Sequence, residues 1–278
     1  MRISIEHQLS VTPPAGTVHA VLQVMLTPIN GPSQSVDSWS VEMPGIGNAA
    51  RFADAYGNSV HLVNQARPEG TLLVTVRGEV TTTDRHGVLG RVGGEPVAAL
   101  YKRVTALTRP PVTLYGKFRS SKDNRIDILH ALMARVGETL GVADAGEQSQ
   151  TQMSADGAQS QSQGTASGQT ARPPASAADL AHAFIGSCRA LDIPARYVTG
   201  YLAPGGPEAE DKLTGFHAWA EAFDDRLGWI GFDPTLQLCP TDRHVRLAAG
   251  LDGLTTTPLR IVPAGDGVAM QEAVVSIA

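Results

Sequence analysis

From residue 1 to about residue 115, hydrophobic and polar positions alternate with a period of two. Ile3 and Ile5 alternate with Ser4 and Glu6, and Val18, Ala20, Leu22, Val24 and Leu26 take every second position of the run Thr17 to Ile29. Such a period places successive side chains on opposite faces of a strand. Val60-His61-Leu62-Val63, Leu72-Leu73-Val74-Thr75-Val76 and the β-branched stretch from Gly78 to Thr83 read as further strands. Pro13-Pro14, Asn30-Gly31-Pro32, Gly45-Ile46-Gly47 and Tyr56-Gly57-Asn58 supply turns between them. Short strands separated in this way predict an all-β, sandwich-like domain or small barrel over residues 1–115.

The period changes after Ser120. Ile128, Leu129, Leu132, Met133, Val136 and Leu140 recur at helical spacing, with Asp123 or Asn124 able to cap the helix. From 141 to 175 the chain turns to Gln, Ser, Thr and Gly, as in Gln159-Ser160-Gln161-Ser162-Gln163-Gly164. So little apolar surface cannot offset the entropy of ordering, and a disordered insertion is expected there. Ser176 then offers a cap, with Asp179 three residues on in a capping-box arrangement. Leu180, Ala181, Phe184, Ile185, Cys188 and Leu191 form one apolar stripe of the helix that follows, and Ala195 to Leu202 reads as a strand.

Length and composition narrow the picture. The 278 residues suggest about two domains, and 42% hydrophobic with 18% charged residues is ordinary for a globular chain. A net charge of −5 without a basic block argues against a nucleic-acid partner. Two cysteines far from any CxxC spacing give neither a zinc site nor a disulfide framework, and no cofactor or metal is expected. The start of the chain lacks an apolar signal region and no stretch approaches a membrane span, so the expectation is a soluble cytoplasmic protein.

One hairpin carries candidate chemistry. His217-Ala218-Trp219-Ala220-Glu221-Ala222-Phe223 alternates large residues with alanines, Asp224-Asp225-Arg226-Leu227-Gly228 turns, and Trp229-Ile230-Gly231-Phe232-Asp233 returns. Pairing Phe223 with Trp229 sets Glu221 opposite Gly231 and Trp219 opposite Asp233. His217 and Asp233 then share a face at diagonal positions. Such a pair is either a buried hydrogen-bonded couple or the base and orienter of a nucleophilic triad. A triad needs its nucleophile at a helix N-terminus, where the dipole and free N–H groups favour a thiolate and an oxyanion. Cys188 lies late in its helix on the apolar stripe and reads as a buried structural thiol. Cys239 reads as packing, and His7, His19, His61 and His86 as structural or surface residues.

The run Asp179-Leu180-Ala181-His182, with Cys188-Arg189-Ala190-Leu191-Asp192-Ile193-Pro194-Ala195-Arg196-Tyr197-Val198-Thr199-Gly200-Tyr201, resembles the core of the bacterial transglutaminase-like family. Phe216-His217-Ala218-Trp219-Ala220-Glu221 and Gly228-Trp229-Ile230-Gly231-Phe232-Asp233-Pro234-Thr235 are similar to its other two blocks, and Asp54-Ala55-Tyr56-Gly57-Asn58 resembles its β-rich N-terminal domain. The resemblance implies an α+β protein. Its papain-like core, a helix packed on an antiparallel sheet over 116–278, would follow the β-rich domain. It also implies acyl transfer or hydrolysis of a peptide or protein amide through a thioester.

The family motif places its cysteine two residues before the aspartate, and here that position is Ala177. His217 and Asp233 match the remaining triad positions. A methyl group cannot form an acyl-enzyme, so the resemblance implies a catalytically impaired protein, or pseudoenzyme, with a peptide- or amide-binding cleft. The tail departs from the family too, reading Gly250-Leu251-Asp252-Gly253 where Gly-Arg-Asp-Tyr is usual. Two other accounts stay open at this stage. An active cysteine amidase would underlie an introduced alanine, or Ser176 would act as a displaced nucleophile. The sequence does not address oligomeric state.

Overall fold

The computed structural model describes residues 1–121, 124–141, 175–205, 212–213, 215–265 and 268–277. The strands are β1 Arg2–Val11, β2 His19–Thr27, β3 Gln34–Glu42, β4 Ala50–Ala53, β5 Ser59–Ala66, β6 Leu72–Thr82 and β7 Val88–Gly90. After the helices α1 Val112–Tyr115, α2 Arg125–Leu140 and α3 Ala177–Ala190 come β8 Ala195–Leu202, β9 Lys212–Leu213, β10 His217–Asp224, β11 Gly228–Phe232, β12 His244–Gly250, β13 Leu259–Val262 and β14 Val268–Ile277.

They form three antiparallel sheets, in the orders β3-β6-β1-β14-β9, β13-β2-β5-β4 and β12-β8-β10-β11-β7. The first two enclose one core. Ile3, Ile5 and Leu9 of β1 and Val74 and Val76 of β6 meet Leu22 and Val24 of β2, Val63 of β5 and Ile261 of β13. At about 25 cal/mol per Å² of apolar surface, this interleaving is the main force holding the sandwich. The expected strands at 72–76 and 78–83 are one continuous β6, because Gly78 makes room for an indole. A Cβ there would lie 2.3 Å from the Trp39 ring on β3.

The third sheet carries the helices. Leu129, Leu132, Met133 and Val136 of α2 and Leu180, Phe184, Ile185 and Cys188 of α3 pack on Ala218, Ala220 and Ala222 of β10 and on Ile230 and Phe232 of β11. The alanines let α3 approach the sheet closely. This is the expected α+β architecture, with a helix packed on an antiparallel sheet.

The strand pairing departs from the expected boundary at 115 in two places. β14 pairs with β1 from Ile3↔Ile277 onward and β13 pairs with β2, so residues 259–277 complete the N-terminal sandwich rather than the core. Conversely, Val88–Gly90 adds to the core sheet beside β11. Alternation marks a stretch as a strand with one buried face but does not name its partner, which tertiary packing selects. The sandwich core also takes in Tyr201 of β8 and Val245 and Leu247 of β12, so the two halves are packed as one body.

At the helix starts, Asn124 accepts the Asp127 backbone N–H at 3.0 Å and caps α2. Asp123, the alternative cap, and nearly all of the 141–175 insertion lie outside the described residues.

Candidate active site

Ser176 caps α3 with a full capping box. Its hydroxyl accepts the Asp179 N–H at 3.2 Å and donates to Asp179 Oδ2 at 2.7 Å, while the Ser176 N–H donates to the same carboxylate oxygen at 3.1 Å. Both hydrogen-bonding capacities of that hydroxyl serve the helix terminus. Ala177 is therefore the first helical residue, half-buried against the core that α3 forms with β10. The expected register is kept.

The hairpin register is also the expected one, with Phe223↔Trp229 and Glu221↔Gly231. The ladder ends at Ala220↔Phe232. Asp233 leaves it and bridges Leu238 instead of standing opposite Trp219. His217 and Asp233 still meet: His217 Nε2 lies 2.6 Å from Asp233 Oδ2, with both residues buried. Asp233 Oδ1 accepts the backbone N–H groups of Thr235 at 2.9 Å and Leu236 at 3.2 Å, a local turn that aims the carboxylate.

A third residue joins the pair. His244, at the start of β12, places Nε2 3.1 Å from the same Asp233 Oδ2. Nothing in the sequence pattern signalled it. It is a lone histidine eleven positions after the aspartate, and only the intervening loop brings it back. Pro240 fastens that loop to β11, since a Cβ on Gly231 would sit 2.7 Å from its ring. Gln237 fastens it to α2, donating to Met133 O at 3.3 Å. Trp219 lies against both imidazoles, 6.0 Å from His217 and 5.3 Å from His244 between ring centres. Gly200 leaves the space for that indole, which would stand 2.5 Å from a Cβ there.

Burial opposes a charge on Asp233, but the hydrogen bonds from His217 and His244 outweigh it and hold the carboxyl well below the usual carboxylate range. Burial pulls His244 below the ordinary imidazole value against the attraction of Asp233, so the neutral ring is favoured. Cys188 is fully buried, and desolvation drives its thiol far above the ordinary range. It is an inert packing group. Burial likewise raises Cys239, whose Cβ would lie 2.6 Å from one added at Gly87.

His182, part of the motif at the head of α3, is not in this cluster. Its ring stacks on Tyr197 at 4.6 Å, and its Nε2 accepts the Gly253 N–H at 3.0 Å. Gly253 fits closely here, because a Cβ would come within 3.3 Å of the imidazole.

His217 and the Asp233 carboxylate form a buried hydrogen-bonded pair, and Ala177 heads the helix that packs on the same sheet. Residues 117–234 match the transglutaminase-like superfamily, and residues 3–81 match the bacterial transglutaminase-like N-terminal region, together more than half of the chain. The chain belongs to the transglutaminase-like superfamily.

Among curated proteins it is similar to an uncharacterised protein of Mycobacterium leprae, 33% identical over 101 residues, 36% of each chain. An uncharacterised protein of Mycobacterium tuberculosis is 35% identical over 89 residues, 30% of this chain and 28% of that one. A protein-glutamine gamma-glutamyltransferase of Pseudomonas aeruginosa is 34% identical over 103 residues, 30% of this chain and 15% of that protein. The matched stretch thus spans about a third or less of these relatives. A solved structure from Cytophaga hutchinsonii, provisionally described as a cysteine protease, superimposes with a TM-score of 0.60 at 21% identity over 100% of this chain and 89% of that one. That likeness establishes the fold: a papain-like, transglutaminase-like core.

Proposed function

We propose that this transglutaminase-like protein is catalytically silent as it stands and uses the cleft at the head of α3 to bind a peptide or protein amide in the cytoplasm. One observation carries the reading. The first residue of a fully capped helix, where the family motif expects a thiol, is Ala177, while His217 and Asp233 stay buried and hydrogen-bonded at 2.6 Å. Without a sulfur there is no atom to attack the carbonyl and no thioester to form. Ser176 does not replace it, because its hydroxyl is committed to Asp179 in both directions. The cleft's amide preference follows from the family's chemistry, which one relative's name, a protein-glutamine gamma-glutamyltransferase, spells out.

The test restores the sulfur. The thiol introduced by Ala177→Cys should be alkylated by iodoacetamide far faster than Cys188 or Cys239. The variant should also gain hydrolysis of, or amine transfer to, a glutamine-containing peptide. The unmodified chain should do neither. Turnover by the unmodified chain would sink the silent reading. A folded Ala177→Cys variant whose introduced thiol stays unreactive would sink the placement of the site.

A further inference from the structure

A cavity of about 210 Å³ lies between the β2–β3 turn of the sandwich and the loop that follows β7, with Arg196 of β8 and Arg246 of β12 in its wall. Gln34 fastens the turn to β12, donating to the Arg246 carbonyl at 2.8 Å and accepting the Arg246 N–H at 2.7 Å. Gly31, Gly57, Gly93 and Gly94 also line the space, and a Cβ on any of them would meet nothing within 4 Å. Bare backbone thus forms much of the wall, and the polar groups that remain are charged.

Those charged groups are short of acceptors. Arg196 spends Nε on Glu221 at 2.5 Å and Nη1 on Glu95 at 2.8 Å. Its Nη2 has no hydrogen-bond partner among the described residues, although the residue is only 1% exposed. Arg246 spends only Nε, on Glu221 at 3.1 Å. Its Nη2 stands 3.7 Å from Glu95 Oε1, too far for a hydrogen bond, and its Nη1 has no partner among the described residues. Idle donors on a buried guanidinium are costly unless an acceptor reaches them. The Trp229 ring, 4.0 Å from the Arg196 guanidinium, holds that donor plane in place.

Charge is unbalanced in the same sense. The cavity shares Ser33, Leu89 and Arg246 with a smaller space before Trp219, which Arg85 and Glu221 also line. Across the two spaces three arginines face two glutamates, and burial favours neutral His244, so one positive charge lacks a counter-charge. A negatively charged acceptor answers both shortages, and a carboxylate matches the planar donor edge of a guanidinium.

We propose that this cavity is a carboxylate-binding site, in which Arg246, backed by Arg196, takes the carboxylate of a free amino acid or of a peptide C-terminus. Its volume is below the roughly 300–1,000 Å³ of pockets for drug-sized ligands and suits a single residue. Glu95 already occupies one flank of the donors, so an incoming carboxylate competes with it. The site goes beyond the amide-binding reading, because none of its donors belongs to the His217–Asp233 pair.

The test titrates the full chain with acetate, L-glutamate and a short peptide ending in a free carboxylate, at constant ionic strength. Acetamide and the same peptide with an amidated C-terminus are the comparators. Calorimetry gives the affinities, and the Nε–Hε resonances of 15N-labelled arginine locate the site. The carboxylates should shift the Arg246 resonance saturably and the amides should not. Tighter binding of L-glutamate identifies a free amino acid as the ligand, and tighter binding of the peptide identifies a C-terminus. Arg246→Gln should weaken binding about tenfold. Glu95→Gln, which leaves both Glu221 pairs in place, should tighten it by a similar factor and serves even if Arg246→Gln does not fold. No saturable response to any carboxylate would overturn the proposal. So would an equal response to chloride or to the amides, or an affinity indifferent to Glu95→Gln. Neither variant touches Ala177 or His217, so failure here leaves the thiol test of the proposed function standing, and the reverse.

Discussion

Strand β10 presents two buried polar clusters on a single face, and they are built on opposite principles. Around Glu221 the protein pairs full charges. Glu221 Oε2 accepts Arg196 Nε at 2.5 Å, its Oε1 accepts Arg246 Nε at 3.1 Å, and Glu95 binds the far side of Arg196 at 2.8 Å. Four residues earlier, around His217, a single carboxylate is held by two imidazoles and two backbone N–H groups. In the first cluster two guanidinium groups and two carboxylates balance and no group is left to change state. In the second, an imidazole keeps one nitrogen outside the carboxylate's grip. Paired charge makes a fixed strut, whereas one anion between two imidazoles makes a site that can still exchange a proton or a hydrogen bond.

The contrast is open to attack, most forcefully at Glu221. Glu221→Ala strands two buried or nearly buried arginines and should cost about 3–5 kcal/mol in urea or thermal unfolding. Asp233→Asn, which removes one charge held by two imidazoles and two backbone N–H groups and no guanidinium, should cost only about 1–3 kcal/mol. Equal losses would erase the distinction.

His7 sharpens the comparison as a buried titratable group with no ionic partner among the described residues. Its Nδ1 meets the Tyr201 hydroxyl at 3.1 Å, its Nε2 has no hydrogen-bond partner among the described residues, and burial lowers its pKa from 6.5 to about 4. Its neutral form is favoured by folding, so stability is full above the unfolded value of 6.5 and falls as pH drops from there toward 4. The loss between pH 6.5 and 5 should reach about 2 kcal/mol in urea titrations and disappear in His7→Phe. Asp233 works the other way and lower: its stabilisation is present above its unfolded value of 3.8 and is lost only as pH falls below that. A profile flat down to pH 4.5 would remove His7 from this account.

The smallest expected effect separates capping from chemistry. Ser176→Ala should cost about 1 kcal/mol of stability through the lost cap. It should leave the nitrogen shifts of His217 unchanged, along with the alkylation of the introduced thiol in the Ala177→Cys protein. A large fall in that reactivity would return Ser176 to the site.

Much of this arrangement was legible in local sequence. The capping box at Ser176 and Asp179 and the hairpin register from Phe223 and Trp229 follow from spacing, and both stand in the structure. Other features were not. Strand β3 escaped notice because a bulge between Val36 and Ser38 breaks its period of two. The Arg196–Glu221–Arg246–Glu95 quartet joins residues of three strands and a loop, and nothing local ties them together.

The sequence by itself determined the strand and helix periods, the cap that places Ala177 first in its helix, and the hairpin that sets His217 near Asp233. Each is written in neighbours a few residues apart, where backbone geometry alone decides what can meet. Only the tertiary structure decided that the chain's last strands complete its first sandwich, and that His244 returns to Asp233. Both depend on contacts across long loops, where packing among distant segments, not spacing, selects the partner.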